Sequence, residues 1–488
     1  MQKLLEIHDL VVAFDTESGE LIAVDGVSIE LAKGQTLALV GESGCGKTVL
    51  CKSMLHILCE KGRVKKGEIL FEGKNLAIVS EKEIQGIRGK DIAMVFQDPN
   101  TSLNPTVSVG KQITEVICLH QHKGKAESKQ KAAELLQMVG IEDAEKRFHQ
   151  KPHQFSGGMR QRVAIAIALA GNPKLLLADE PTTALDVKTQ EQILTLIKNL
   201  QKQLQISMIF ITHDLSLVER VADQAAIMQQ GKIVEIGNVS SIFSNPQHEY
   251  TKRLIHYLNY GRGTTHSHGK QVERAEILAE ALHVKKSFRL DKNSTVKALD
   301  GVSLKIYRGE IAGLVGPSGC GKTTLARCLM GIDTPDSGTI KFYGKPTNRY
   351  TFRQMIFQDS TSAFNQRMTI GQIIGEPLRI QNKRQPDKSI ITKLMEQVEL
   401  EAALFDRYPY EVSGGQRQRA AIARALSVDP DFIVADEPLS SLDVTIQAQI
   451  AHLFKKLQEE RNLTILLISH DLPMAQHISD RIIDLNDN

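Results

Sequence analysis

The sequence predicts an α/β fold that occurs twice along the chain, each time around a largely parallel sheet. Short motifs recur in the same order in both halves, and apolar runs of strand length alternate with helical patterns. A phosphate-binding pattern also follows one such run in each half. A chain of 488 residues is too long for a single hydrophobic core. We therefore expect a first domain over residues 1–258, a linker over 259–275 and a second domain over 276–488.

An internal repeat defines the two halves. Its paired segments are 24–28 and 299–303, 95–98 and 356–359, 156–162 and 413–419, 178–181 and 435–438, and 212–215 and 469–472. Residues 259–270 are polar and glycine-rich, which is typical of a linker. Metal binding by His266 and His268 is a less favoured alternative. The segments from about 100 to 155 and from 360 to 412 are expected to be inserted helical subdomains.

Each half contains the pattern G-x-x-x-x-G-K-[ST] after a strand-like apolar run and before a helical stretch. Its glycines let successive N–H groups face a phosphate, its lysine reaches the β- and γ-phosphates, and its threonine hydroxyl binds Mg²⁺. The sequence therefore predicts two nucleoside triphosphate sites. Their P-loop residues are Gly41, Glu42, Ser43, Gly44, Cys45, Gly46, Lys47 and Thr48 in the first half, and Gly316, Pro317, Ser318, Gly319, Cys320, Gly321, Lys322 and Thr323 in the second.

Two buried-strand patterns end in a pair of carboxylates, Asp179 with Glu180 and Asp436 with Glu437. Ligands bind at the carboxyl ends of parallel strands. We expect the aspartates to hold Mg²⁺ through its water shell and the glutamates to polarise the attacking water. The alternative is that Asp-Glu-Pro only caps a strand. Its recurrence downstream of both P-loops favours the catalytic interpretation.

A histidine closes another apolar strand in each half, His213 in the first and His470 in the second. A single histidine at such a place is usually structural. Here both strands are expected to end at the edge of the sheet that carries the P-loop. We therefore predict that both histidines contact the γ-phosphate.

Composition excludes several classes of function. The net charge is +3, from 60 basic and 57 acidic residues, which gives no case for a nucleic-acid-binding surface. The start of the sequence is not expected to be a secretory signal. The longest apolar run, 163–170, is far shorter than the ~20 residues that span a bilayer. The six cysteines form no metal-binding pattern and suit a reducing cytosol; Cys45 and Cys320 are expected to be small filler residues, with a redox role as the alternative.

Taken together, these residues resemble the ATP-binding cassette (ABC) family over nearly the whole chain. The segments that resemble its signature loop are Ser156, Gly157, Gly158 and Met159, and Ser413, Gly414, Gly415 and Gln416. Gln97 and Gln358 resemble its Q-loop glutamine, which is also expected to contact Mg²⁺. Segments 184–186 and 441–443 resemble its D-loop. Phe14 and Phe288 lie where the family places an aromatic ring to stack on adenine.

The resemblance implies two tandem P-loop NTPase domains of the ABC type, each with a mainly parallel core sheet, a helical subdomain and an antiparallel N-terminal sheet. It implies ATP and Mg²⁺ as ligands, and it implies that the cassettes of one chain pair head to tail. One composite site would join Lys47, Thr48, Gln97, Asp179, Glu180 and His213 with Ser413, Gly415 and Asp443. The other would join Lys322, Thr323, Gln358, Asp436, Glu437 and His470 with Ser156, Gly158 and Asp186.

Three residues depart from the family pattern. Met159 replaces the usual glutamine of the signature loop, and Phe155 and Val412 replace its usual leading leucine. No catalytic position is missing from either half. We therefore expect two unequal but competent ATP sites.

Further segments of the sequence are similar to the two ATPase subunits of the peptide/nickel importers. Segments 155–162, 179–186 and 242–251 resemble one subunit, and 413–419 and 436–443 resemble its partner. The resemblance implies a fusion of both, which would drive import of a solute through two membrane permease subunits with an extracellular solute-binding protein. Peptide is the first choice of solute, and nickel or a metal chelate is the second. The chain would be a peripheral protein on the cytoplasmic face of the cell membrane.

Two other classes of twin-cassette protein remain as alternatives. A soluble ATPase that acts on ribosomes usually has a long, charged, helical segment between its cassettes, whereas the linker here is short and contains glycine and histidine. A DNA-repair ATPase would need a coiled-coil insertion, and no sustained heptads are present.

Overall fold

The computed structural model describes residues 2–16, 19–42, 44–183, 185, 187–262, 276–291, 294–317, 319–344, 349–358, 360–384, 386–439, 442 and 444–485. The P-loop serines Ser43 and Ser318, the D-loop aspartates Asp186 and Asp443, and most of the expected linker lie outside these ranges. The chain divides into two compact units, Met1–Leu258 and Asn259–Asn488.

The first unit contains two sheets and a set of helices. Its strands are β1 (Lys3–Thr16), β2 (Gly19–Ala32), β3 (Thr36–Val40), β4 (Gly62–Phe71), β5 (Lys74–Asn75), β6 (Ile92–Val95), β7 (Leu175–Asp179), β8 (Ser207–Thr212), β9 (Gln224–Gln229) and β10 (Lys232–Asn238). Its helices are α1 (Lys47–Met54), α2 (Glu81–Gln85), α3 (Pro99–Ser102), α4 (Val109–Gln121), α5 (Lys125–Met138), α6 (Ala144–Arg147), α7 (Gly157–Leu169), α8 (Val187–Leu204), α9 (Leu215–Val221), α10 (Val239–Ser244) and α11 (Glu249–Arg262), the last of which continues past the boundary of the unit.

The second unit repeats most of this order. Its strands are β11 (Ile277–Asp291), β12 (Ser294–Tyr307), β13 (Ile311–Val315), β14 (Ser337–Phe342), β15 (Arg353–Ile356), β16 (Phe432–Asp436), β17 (Thr464–Ile468) and β18 (Arg481–Asp484). Its helices are α12 (Lys322–Met330), α13 (Arg349–Phe352), α14 (Ser360–Ala363), α15 (Ile370–Asn382), α16 (Lys388–Gln397), α17 (Gly414–Leu426), α18 (Val444–Arg461) and α19 (Leu472–Ile478).

Sheet topology confirms the predicted α/β fold. The core sheet of the first unit has the order β10-β9-β3-β8-β7-β6 and is parallel except for β10; that of the second has the order β15-β16-β17-β13-β18 and is parallel throughout. Each unit also has an antiparallel sheet near its start, β2-β1-β4-β5 and β12-β11-β14. Helices α3 to α6 and α14 to α16 form the inserted helical segments.

The apolar runs of the core strands serve two hydrophobic cores at once. In β7, Leu175 and Leu177 belong to the core shared with the antiparallel sheet and α1, whereas Leu176 and Ala178 belong to the core shared with α4, α5 and α7. Side chains alternate along a strand, so a strand covered on both faces must be apolar at every position. This is why these strands appear in the sequence as unbroken apolar runs.

Parallel pairing brings the candidate residues to one edge of each core sheet. In the first unit, Val40 pairs with Thr212 and Asp179 pairs with Ile211, so β3, β7 and β8 end side by side. The segments that follow these three ends are the P-loop, the carboxylate pair and the histidine. None of the described helices has the length and apolar character needed to cross a membrane.

Candidate nucleotide-binding sites

Each P-loop connects a core strand to a helix through backbone that only glycine tolerates. Gly46 has φ of 106° and Gly321 has φ of 101°, both in the left-handed region. A Cβ atom at Gly46 would lie 2.3 Å from the carbonyl oxygen of Ala23, and one at Gly321 would lie 2.2 Å from that of Ala298. Other residues would therefore force the start of α1 or α12 away from the neighbouring strand.

Each P-loop lysine is hydrogen-bonded to the backbone of its own loop. The Lys47 ammonium donates hydrogen bonds to the carbonyl oxygens of Gly41 and Glu42, both at 2.7 Å. In the second unit, the Lys322 ammonium makes the same two bonds at 2.8 and 2.9 Å. Both lysines are buried. A buried cation needs anionic or carbonyl oxygens around it, and a bound phosphate would supply them.

A hydroxyl and a carboxylate meet at the start of each P-loop helix. The Thr48 hydroxyl donates to the Asp179 carboxylate at 2.9 Å, and the Thr323 hydroxyl donates to the Asp436 carboxylate at 3.2 Å. Burial raises the pKa of both aspartates. These two oxygen donors fit Mg²⁺, which takes few protein ligands and keeps waters and phosphate oxygens as the others.

Glu180 is the centre of a polar cluster at the end of β7. Its carboxylate accepts hydrogen bonds from the Gln97 amide and the Thr183 hydroxyl, each at 2.9 Å, and lies 3.1 Å from Nδ1 of His213. Its backbone N–H donates to the carbonyl of Ile211, with φ of 44°. A left-handed glutamate stores about 1–3 kcal/mol of strain, which is typical of functional sites.

The second unit repeats this cluster around Glu437. Its carboxylate accepts a hydrogen bond from the Gln358 amide at 2.7 Å and lies 3.4 Å from Nδ1 of His470. Glu437 is also left-handed, with φ of 46°. The structure therefore brings each predicted glutamine, glutamate and histidine together in its own unit. The contact of Thr183 with Glu180 was not predicted from the sequence. The one sequence feature that indicates it is the position of Thr183 three residues after Glu180.

Glutamate and histidine in each cluster stabilise each other's charges. Burial disfavours the charge on Glu180, but the hydrogen bond and charge of His213 outweigh burial and lower the pKa of Glu180. Burial also disfavours the charge on His213, and Glu180 outweighs it and raises the pKa of His213. In the second unit the hydrogen bond between His470 and Glu437 is the largest influence, with the same outcome for both pKa values.

These pairs predict a pH dependence of stability in the nucleotide-free protein. Each histidine binds its proton more tightly in the folded protein. Its contribution to the stability of the fold is therefore complete below its ordinary pKa of 6.5 and is lost as the pH rises through the raised pKa of the folded state. We expect the midpoint of thermal unfolding to fall as the pH rises through this range. In the double variant His213→Gln/His470→Gln, this part of the decrease should be absent. The exposed His452→Gln serves as control. An unchanged pH profile in the double variant would contradict the prediction.

The signature loops begin two corresponding helices. The Ser156 hydroxyl accepts from the backbone N–H of Met159 at 3.4 Å, and the Ser413 hydroxyl accepts from that of Gln416 at 3.3 Å. A Cβ atom at Gly158 would lie 2.4 Å from the Thr189 side chain, and one at Gly415 would lie 2.7 Å from that of Ile446. Both helix N-termini therefore need glycine, and their N–H groups favour an anion.

Met159 and Gln416 differ in what they do for these loops. The Gln416 side-chain oxygen accepts from the backbone N–H of Ser413 at 2.9 Å and completes a capping box. The Met159 sulfur instead lies 3.9 Å from Nη1 of Arg147, and its side chain packs against the core around α7. The second signature loop therefore has a capping hydrogen bond that Met159 cannot supply in the first.

We expect Gln416→Met to weaken nucleotide binding by up to about tenfold. The substitution removes a hydrogen bond that orders the signature loop, and such a bond contributes about 0.5–1.5 kcal/mol. The reciprocal Met159→Gln is expected to strengthen it. Both are measured as nucleotide affinity and ATP turnover, with wild type alongside. If neither quantity changes by more than about twofold in either variant, the two signature loops are equivalent.

The predicted adenine-stacking residues lie on the antiparallel sheets. Phe14 is on β1 and packs close to Gly62, where an added Cβ atom would lie 2.6 Å from its ring. Phe288 is on β11 and is 41% exposed, with the Lys286 ammonium 5.6 Å from the ring centroid. Their role in binding adenine stays a prediction.

The profile of the family described as ABC transporter matches residues 24–183 and 299–440. This chain belongs to the ABC transporter family. The cassettes of this family bind and hydrolyse ATP, and the chain is therefore an ABC ATPase with two cassettes. The predicted family, fold and enzyme class are thereby confirmed.

Curated relatives match nearly the whole chain. The peptidoglycan transport ATP-binding protein YejF of Agrobacterium fabrum is 42% identical over 498 residues, which cover 99% of this chain and 91% of that protein. The glutathione import ATP-binding protein GsiA of Pectobacterium atrosepticum is 37% identical over 525 residues, covering 99% and 84%. A solved structure titled RNase-L Inhibitor has a TM-score of 0.63 at 21% identity, covering 98% and 87%; this likeness shows the fold alone.

Proposed function

We propose that this ABC ATPase is the subunit that energises import of a solute through two separate membrane permease subunits. Each cassette assembles the groups that ATP hydrolysis needs: a buried lysine, a threonine–aspartate pair and a glutamate held by glutamine and histidine. The observation that carries the import proposal is similarity to proteins named for it. Curated relatives over nearly the whole chain are named for transport or import. The chain would act as a peripheral protein on the cytoplasmic face of the membrane.

The groups of each site divide the work of ATP hydrolysis. Lys47 and the P-loop N–H groups would bind the phosphates. Thr48 and Asp179 would hold Mg²⁺, which neutralises charge on the transferring phosphoryl group. The ionised Glu180 would orient the attacking water and accept its proton, with His213 stabilising the charge on Glu180. The second cassette offers the corresponding residues.

Peptide is the solute that we favour over nickel or a metal chelate. The two relatives are named for peptidoglycan and glutathione, and both compounds contain amino acids joined by amide bonds. The test is uptake of labelled peptides by the native cells that carry this chain. Loss of uptake in a Glu180→Gln/Glu437→Gln strain supports the proposal. Retained uptake in that strain contradicts it.

A pull-down from native cell membranes tests the assignment to an importer. We expect permease subunits to co-purify with the tagged chain. Co-purification with ribosomes in place of permeases would support the alternative of a ribosome-acting ATPase and overturn the importer proposal.

We also propose that the two cassettes of one chain pair with each other. The halves differ in sequence as two distinct subunits would: segments 155–162, 179–186 and 242–251 resemble one ATPase subunit of the peptide/nickel importers, and 413–419 and 436–443 resemble its partner. Cysteines placed by Lys47→Cys and Ser413→Cys should crosslink within one chain, in a background with Cys45→Ser and Cys59→Ser. Lys322→Cys with Ser156→Cys is the matched pair, with Cys320→Ser added. Exclusively intermolecular products would overturn the proposal.

A further inference from the structure

Tyr250 connects the end of the first cassette to its P-loop. It lies in the segment Pro-Gln-His-Glu-Tyr-Thr, 246–251, to which neither the phosphate sites nor the proposed function assigns a role. Its side chain is 2% exposed and packs in the core beneath β3 and β9 with α9, α10 and α11. Its hydroxyl accepts a hydrogen bond from the backbone N–H of Glu42 at 3.2 Å.

This N–H belongs to the peptide group between Gly41 and Glu42. The carbonyl oxygen of the same peptide group, on Gly41, accepts a hydrogen bond from the Lys47 ammonium at 2.7 Å. Tyr250 and Lys47 therefore hold opposite ends of one peptide group. Rotation of this group would break both hydrogen bonds, so Tyr250 opposes any change in the backbone that sets the position of Lys47.

The turn before α11 fixes Tyr250 in place. The Glu235 carboxylate on β10 accepts from the backbone N–H groups of Gln247 and His248 at 2.9 and 3.0 Å. Nδ1 of His248 accepts from the backbone N–H of Tyr250 at 3.2 Å. These contacts satisfy backbone donors at the start of α11. The polar residues of the segment thus serve to orient the tyrosine.

The second cassette fixes the corresponding peptide group by another means. The Lys322 ammonium binds the carbonyl oxygen of Gly316 at 2.8 Å, but the next residue is Pro317. Proline has no backbone N–H and its ring locks φ near −65°. The described part of the second unit, which extends to residue 485, has no counterpart of segment 246–251. The tyrosine thus contacts the one of these two peptide groups that has an N–H.

We propose that Tyr250 is a positioning residue for the first ATP site. It holds the Gly41–Glu42 peptide group so that Lys47 and the P-loop are arranged before nucleotide binds. Pro317 does the same for the second site through its ring. This role concerns ATP binding in the first cassette and does not depend on the solute or on the permeases.

Tyr250→Phe removes only the hydroxyl and keeps the packed ring. Binding of a fluorescent ATP analogue is measured in a Lys322→Ala background, so that the first site dominates the signal. We expect binding at this site to weaken about three- to tenfold, because the part-buried N–H of Glu42 is left without this partner. In a Lys47→Ala background, the same substitution should leave binding at the second site within twofold.

Rescue separates positioning from general stability. Glu42→Pro installs the residue of the second cassette and removes the N–H, so Glu42→Pro/Tyr250→Phe should restore affinity to within about twofold of the Lys322→Ala parent. Glu42→Ala/Tyr250→Phe keeps the N–H and should not restore it. The proposal is overturned if Tyr250→Phe leaves the affinity within twofold, or if proline rescues no better than alanine.

Discussion

The double variant Glu180→Gln/Glu437→Gln should bind ATP and hydrolyse it about 10²–10⁴-fold more slowly than wild type. Each carboxylate lies at the end of a core strand, in a left-handed conformation, held by an amide and a histidine. Their lowered pKa values keep both ionised near neutral pH. Glutamine keeps the size and one acceptor oxygen of glutamate but cannot accept the proton of the attacking water.

The measurement is phosphate release together with retention of labelled ATP after gel filtration. Glu191→Gln is the matched control, since that glutamate is exposed on α8 and pairs with Arg220. The control should turn over at the wild-type rate and retain no ATP. Normal phosphate release by the double variant would show that neither glutamate takes part in the catalytic step.

Lys47→Ala and Lys322→Ala should each weaken nucleotide binding at their own site by roughly 10–100-fold, the range of one or two charge-assisted hydrogen bonds. Both ammonium groups are buried against the carbonyls of their P-loops. Each cassette has its own buried lysine and threonine–aspartate pair. Since we propose that the cassettes pair and work together, we expect each single variant to lose most of its ATP turnover.

Turnover and nucleotide affinity are measured for both single variants and for the double variant. Lys232→Ala is the control, because this lysine is exposed and pairs only with Asp25 among the described ion pairs. The expectation of two competent sites fails if Lys322→Ala leaves turnover unchanged while Lys47→Ala abolishes it.

Much of both sites could be predicted from the sequence because it depends on local backbone geometry. A P-loop needs glycine at positions such as Gly46 and Gly321, where φ is positive and a strand lies close by. A strand covered on both faces needs an unbroken apolar run, and the residue after it lies at the ligand-binding edge. These requirements leave a recognisable pattern over a few consecutive residues, and that pattern located Lys47 and Glu180.

Which side chains form hydrogen bonds to distant segments was decided only by the tertiary structure. Gln97 meets Glu180 across 83 positions of sequence, and Tyr250 meets Glu42 across 208. Likewise, only the fold shows that the side-chain oxygen of Gln416 accepts a hydrogen bond from the backbone N–H of Ser413. Short sequence patterns indicate which backbone conformations are possible. Which side chains then meet depends on how strands pair and helices pack, and that information is spread over the whole cassette.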